Sequence, residues 1–152
     1  MQTEDYRQIE NLIYRYAELI DSGDLQGVAE LFRHGKVVSP AQEVSFEGYD
    51  NVLALYQNSC RIHESSGTPL TRHVTSNVII EPGANPGSAN ARSYYTVFQA
   101  TDALPLQPIV AGHYHDHFHK KKDVWQFSYR ELYIDLMGDC SQHLLYDAAG
   151  LG

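Results

Sequence analysis

Thr71-Arg-His-Val-Thr-Ser-Asn-Val-Ile-Ile-Glu81 is where the chain changes its period. The stretch is rich in β-branched residues, which fit a pleated surface, and it reads as a strand. Strand patterning then continues to the end of the chain. Pro82-Gly-Ala-Asn-Pro-Gly-Ser88 is a strong turn signal, and Ala91 to Thr101 follows as a second strand containing Ser93-Tyr-Tyr-Thr-Val-Phe98. Pro105 and Pro108 are expected to break the chain. Ile109 to His119 reads as a third strand and Val124 to Leu136 as a fourth, joined by a Lys/Asp turn. The tail from Gly138 reads as irregular.

Upstream of Thr71 the pattern is helical. Ile9, Leu12, Ile13, Tyr16, Ala17 and Ile20 fall at the spacing of one buried stripe. Thr3 is a candidate N-cap, and Ser22-Gly23 ends the helix. Asp24 can cap a short second helix carrying Leu25, Val28, Ala29, Leu31 and Phe32. Residues 36–46 read as a short extended segment with a turn at Pro40. Gly48-Tyr-Asp50 opens a third helix that runs to about Ser65. Helices first and a four-strand meander afterwards define an α+β fold. The chain has 152 residues, which suits one domain, 1–152, with a single core.

Composition narrows the partners. The formal charge is −8 and the sequence pI about 5.3. That excludes nucleic acid and anionic membrane, whose phosphates need clustered Lys and Arg. The one basic run, Lys120-Lys121-Lys122, sits where a hairpin tip is expected. No apolar run reaches membrane-spanning length, and the first residues do not read as a signal peptide. Cys60 and Cys140 lack CxxC spacing, so neither a zinc site nor a disulfide framework is expected, and a reduced cytoplasmic protein is the default. Eleven tyrosines offer apolar bodies with polar tips, suited to a pocket for a polar organic ligand.

Three distant residues match one chemical job. Asp21 ends the first helix, His73 opens the first long strand, and Arg130 lies in Trp125-Gln-Phe-Ser-Tyr-Arg130. A carboxylate can hold an imidazole in one tautomer, the imidazole can move a proton, and a cation can stabilise the resulting anion. Each residue also has a plainer reading. Asp21 can be solvated in the turn beside Gly23, His73 can be a core-edge histidine, Arg130 can pair with Asp116 or Glu131, and Tyr16 can be simple core. In His113-Tyr-His-Asp-His-Phe-His119, alternation puts four histidines on one strand face and Tyr114, Asp116 and Phe118 on the other. Histidines spaced by two on a strand can chelate a metal, so a metal-dependent reading stays open. No Gly-rich phosphate loop, GxSxG or HExxH occurs.

Taken in order, these pieces resemble the SnoaL-like branch of the nuclear-transport-factor-2-like superfamily. They are Arg15-Tyr16-Ala…Asp21-Ser-Gly-Asp24…Leu31-Phe32, Arg72-His73…Asn77-Val, Ala111-Gly112-His-Tyr114-His-Asp116-His-Phe118, Trp125-Gln-Phe127-Ser-Tyr-Arg130 and Gly138-Asp139-Cys-Ser141-Gln-His143-Leu144. That branch includes scytalone dehydratase, hexachlorocyclohexane dehydrochlorinase and bile-acid dehydratase. The resemblance implies a cone-shaped α+β barrel, a curved and mainly antiparallel sheet wrapped around the N-terminal helices, with a pocket inside. It implies Asp21 and His73 as a proton-abstracting dyad, with Arg130 and Tyr16 as further catalytic residues. Tyr114, Asp116 and Phe118, with Tyr95 on the neighbouring strand, become the expected substrate-binding residues. Scytalone dehydratase has Ser and Asn where Asp116 and Phe118 fall, so its substrate should fit poorly.

The expected activity is that of a cofactor-independent, metal-free lyase of the dehydratase type, or an isomerase. It would act by proton abstraction on a small hydrophobic oxygenated ring compound. The alternative is a non-catalytic small-molecule-binding or assembly module of the same fold. A homo-oligomer is expected, a trimer ahead of a dimer, because one 17.2 kDa domain has limited capacity to cover both faces of the Ile109–His119 strand.

Overall fold

The stripe on the first helix decides what the sheet wraps around. In the computed structural model, which describes residues 1–146, α1 spans Thr3–Asp21 and buries Ile9, Ile13, Tyr16, Ala17 and Ile20. Its cap is Gln2 rather than Thr3, whose backbone is already helical. The Gln2 N–H donates to the Asp5 carboxylate at 2.7 Å. At the other end Gly23 takes φ +78°, and its N–H and that of Asp24 donate back to Ile20 O and Leu19 O, each at 2.9 Å. This is the double closure that a left-handed residue permits. A side chain at Gly23 would also meet Gly67 O at 2.3 Å, so only glycine fits.

The remaining elements follow in chain order. α2 is Leu25–Leu31, with Asp24 accepting from Gly27 N–H at 2.8 Å, and α3 is Gly48–Ser59. The sheet strands are β1 Lys36–Ser39, β2 Val44–Glu47, β3 Thr71–Pro82, β4 Ser88–Thr101, β5 Leu104–Lys121 and β6 Val124–Met137. The meander expected from the sequence is present as β3 to β6. The extended segment around Pro40 adds a small hairpin, with a 3-10 turn at Pro40–Gln42. The order is β2-β1-β6-β5-β4-β3, and β1 runs parallel to β6 through Val37↔Arg130. The sheet is curved and open, with β2 and β3 as its edges, so the cone does not close into a barrel.

Two proline positions differ from expectation. Pro105 and Pro108 lie inside β5 instead of breaking it. β5 pairs with β4 there, through Phe98↔Pro108, but meets β6 only from Val110 onward. On that free side the missing N–H costs no ladder bond. α3 also ends earlier than expected, at Ser59, with a bridge between Cys60 and Leu144 just beyond it.

Curvature comes from register shifts. They occur in β3 between Ser76 and Ile79, where Asn77 has φ +54°, and in β6 opposite Ala111 and Gly112, where Asp135 is the extra residue. An extra residue on one strand bends it and tightens the local twist. Gly112 allows the closest approach, since a Cβ there would sit 1.9 Å from Tyr133 O. The Lys122-Asp123 turn, with both residues at positive φ, closes the β5–β6 hairpin. Asp5 pins α1 to that hairpin by accepting from Lys120 Nζ at 2.9 Å and Trp125 Nε1 at 2.8 Å. The narrow end of the cone is filled by Phe32, Phe118 and Phe127, all buried, with ring centroids 4.7–4.8 Å apart. The wide end is hollow.

Candidate active site

A carboxylate at the C-terminus of a helix opposes the helix dipole, so Asp21 is placed against local preference. Three donors compensate. Thr71 Oγ1–H and the His73 backbone N–H donate at 2.8 Å, and His73 Nδ1 lies 2.6 Å from Oδ1. Burial works to raise the Asp21 pKa, but the bonds to His73 and Thr71 and the imidazole charge outweigh it, leaving it below the ordinary value. An ionised carboxylate only accepts, so His73 Nδ1 carries a proton toward it, and in the neutral form of the ring Nε2 holds the lone pair. The side chains of His73 and Asp21 are only 7% and 13% exposed. The closure at Gly23 and the start of β3 thus bring together two residues far apart in sequence.

His73 stands on the wall of a cavity of about 480 Å³ enclosed by α1, α3, the curved sheet and the segment after β6. The wall is mainly apolar, with Ile20, Val37, Phe46, Leu55, Val97, Val110 and Leu132 among its residues. Its polar side chains include Ser39, Gln42, Asn58 and Ser59, two histidines and several tyrosines. Tyr16, Tyr56, Tyr95 and Tyr114 converge, with Tyr16 and Tyr56 hydroxyls 2.5 Å apart. One hydroxyl of that pair donates to the other, which leaves one proton free for a ligand. The Tyr95 hydroxyl is occupied, donating to Tyr133 O at 2.8 Å. Burial raises the Tyr16, Tyr56 and Tyr114 pKa values, so these groups are neutral donors at physiological pH.

Arg130, Asp116 and Phe118 differ from the expected placement. Their side chains do point inward, but all three are buried beneath the cavity wall and absent from its surface. Asp116 and Arg130 face each other across β5 and β6, so the guanidinium donates to the carboxylate twice, at 2.8 Å each. Tyr114 and Tyr16 then cover the guanidinium, their ring centroids 3.7 and 4.2 Å from its carbon. Burial opposes the Arg130 charge, yet Asp116 more than offsets this and raises its pKa. Arg130 therefore packs against two cavity tyrosines and is not itself part of the cavity surface.

The histidine strand faces outward. His113 Nδ1 lies 2.6 Å from Asp135, His115 Nδ1 3.7 Å from Glu131, and His117 stacks on Tyr129. Among the described residues no three His, Cys, Asp or Glu side chains converge as metal ligands. No described helix is long and apolar enough to cross a membrane.

The sequence reading missed Tyr56, Cys60, Cys140 and His143 on the cavity wall. Tyr56 sits in the apolar stripe of α3, where a hydroxyl role has no local signal. His143 lies in a segment without periodicity. Burial pushes the Cys60 thiol up to about 11, so it is no thiolate.

An open, curved sheet over three helices, with a buried acid–imidazole pair at the cavity between them, defines a cone-like α+β protein of the nuclear-transport-factor-2-like type. The SnoaL-like domain matches residues 1–131, and the chain belongs to that family. No curated protein matches it significantly. Among solved structures, a provisionally named scytalone dehydratase from Novosphingobium aromaticivorans is 26% identical, with 89% of this chain and 87% of that one covered and a TM-score of 0.69. An NTF2-like protein with a cystatin-like fold from the same organism is 22% identical over 91% and 86% of the two chains, with a TM-score of 0.71. ActVI-ORFA from Streptomyces coelicolor shares 16% identity over 88% and 98%, with a TM-score of 0.70.

Proposed function

We propose that the protein is a lyase of the dehydratase type, or an isomerase, that works without metal or cofactor on a small hydrophobic oxygenated ring compound. The observation that carries this reading is the 2.6 Å contact between His73 Nδ1 and Asp21 at the cavity wall. His73 Nε2 removes a proton from carbon beside a carbonyl. Asp21 holds the ring and stabilises the imidazolium that forms. The free proton of the Tyr16–Tyr56 pair meets the oxygen on which negative charge develops. In the dehydratase form hydroxide then leaves from the next carbon, takes the proton held by His73 and departs as water. A positioned base contributes roughly 10²–10⁴-fold and one oxyanion donor roughly 10²–10³-fold.

The test is a panel of cyclic β-hydroxy ketones in D2O, followed by NMR. Wild-type protein should place deuterium on the carbon beside the carbonyl or expel water, and His73→Ala should lower that rate about 10²-fold or more. Ligands that bind the cavity with neither exchange nor elimination would favour the non-catalytic binding module.

A homo-oligomer, with a trimer ahead of a dimer, remains part of the proposal. Its support is the outer sheet face, where Tyr94, Val74 and Ile79 are 58%, 45% and 44% exposed. A cytoplasmic location is likewise proposed, supported by two buried free thiols.

A further inference from the structure

The segment after β6 is tied down on several sides. Gly138 N–H and Cys140 Sγ–H both reach Ile109 O, at 2.7 and 3.3 Å. Gln142 O accepts from Gln99 Nε2 at 3.0 Å and lies 2.9 Å from His63 Nε2. Arg61 N–H donates to His143 O at 2.8 Å, and Leu145 N–H to Ser59 O at 3.0 Å. His143 is therefore held in place by backbone contacts before and after it.

Its ring lies on the cavity wall, centroid 6.4 Å from that of His73 and edge-on to it. The residue is 9% exposed. Burial first, then the neighbouring His73 and His63, push its pKa down to about 4 against the pull of Asp21. The ring is thus neutral at pH 7, with one N–H and one lone pair. Nδ1 is sealed and has no hydrogen-bond partner among the described residues. Buried orphan N–H groups are rarer than buried orphan acceptors, so the sealed Nδ1 holds the lone pair and Nε2 the proton. Nε2 is not sealed. His73 is arranged the opposite way, with Nδ1 on Asp21, so that in its neutral form Nε2 is the accepting nitrogen. The cavity is faced by one imidazole that accepts and one that donates.

We infer that His143 is a substrate-binding residue whose Nε2–H holds a hydroxyl oxygen of the ligand beside His73. It selects ring compounds with a second oxygen besides the carbonyl met by Tyr16 and Tyr56. The inference rests on the cavity being the substrate site proposed above. Its test needs no turnover. The probes are 4-hydroxy-1-tetralone and 1-tetralone, which differ by one hydroxyl, and the hydroxyl is too far from the carbonyl to eliminate readily.

Nitrogen-15 NMR of the free protein should show His143 as the Nε2–H tautomer, and that signal should move with the hydroxy ketone. The hydroxy ketone should bind about 3–10-fold tighter than 1-tetralone, as one neutral hydrogen bond allows. His143→Phe should bring the ratio close to one, and His143→Gln, which keeps a neutral donor, should restore part of it. An Nδ1–H tautomer, a ratio unchanged by His143→Phe, or failure of either compound to bind overturns the inference. The same measurements on His73→Ala protein separate the two readings. If proton abstraction is wrong, the tautomer and the binding ratio persist; if His143 is misassigned, they fail while His73-dependent exchange survives.

Discussion

At the scale of the residue, one proton's address decides what the cavity can do. Asp21→Asn leaves the shape of the pair but replaces an acceptor with an amide that cannot stabilise imidazolium. Proton exchange at the substrate carbon should fall about 10²-fold or more by NMR. The thermal midpoint should fall as well, since both carboxylate oxygens accept and the amide turns an NH2 toward one of those donors. Tyr56→Phe removes one hydroxyl from the 2.5 Å pair and keeps the ring contact with Tyr16, 6.2 Å between centroids. The loss should appear in kcat more than in KM, by about 10-fold or more, since the donor works when charge develops. The Asp116–Arg130 pair calls for a different measurement. Asp116→Ala strands a sealed guanidinium and should cost about 3–5 kcal/mol in urea unfolding, whereas replacing both partners with apolar residues of similar size should cost less.

Elements bring these residues together, and the chain was readable at this scale only in part. The stripe of Ile9, Ile13, Tyr16 and Ile20 and the β-branched run after Thr71 declare α1 and β3, because their periods are local. Asp21 and His73 could be named because each sits at the end of such an element. Tyr56 and His143 could not, since their place in the cavity depends on where α3 and an aperiodic segment pack against distant strands. Asp116, Phe118 and Arg130 show the same limit. Alternation puts them on the inward face, yet cannot say that Tyr16 and Tyr114 lie above them. The turn after α1 offers a direct check. Gly23→Ala combines positive φ with a 2.3 Å approach to Gly67 O, so it should lower stability by more than about 1 kcal/mol and displace Asp21 from His73. Urea unfolding and the His73 ring-proton NMR signal report the two effects.

For the whole molecule, stability is coupled to the ionisation of the cavity wall. His143 has a folded pKa of about 4 against an ordinary 6.5, so the unfolded chain binds more protons between those values. Stability is then complete above pH 6.5 and is lost as pH falls toward 4, by on the order of 3 kcal/mol. Urea midpoints between pH 7 and 4 should fall steeply in wild-type protein and less in His143→Phe. The lowered Asp21 pKa adds its own loss only at more acidic pH, below its ordinary value of 3.8. The same segment has a consequence for biosynthesis. The hydrogen bonds that tie residues 138–145 to the strands and to the segment after α3 reach chain that leaves the ribosome earlier: Ser59, Arg61, His63, Gln99 and Ile109. A nascent chain that has emerged only through β6 therefore presents Leu55, Val110 and Met137 at an unfinished opening. Exposed apolar surface of that kind is what chaperones recognise on a growing polypeptide. Translation past residue 145 is what ends that exposure.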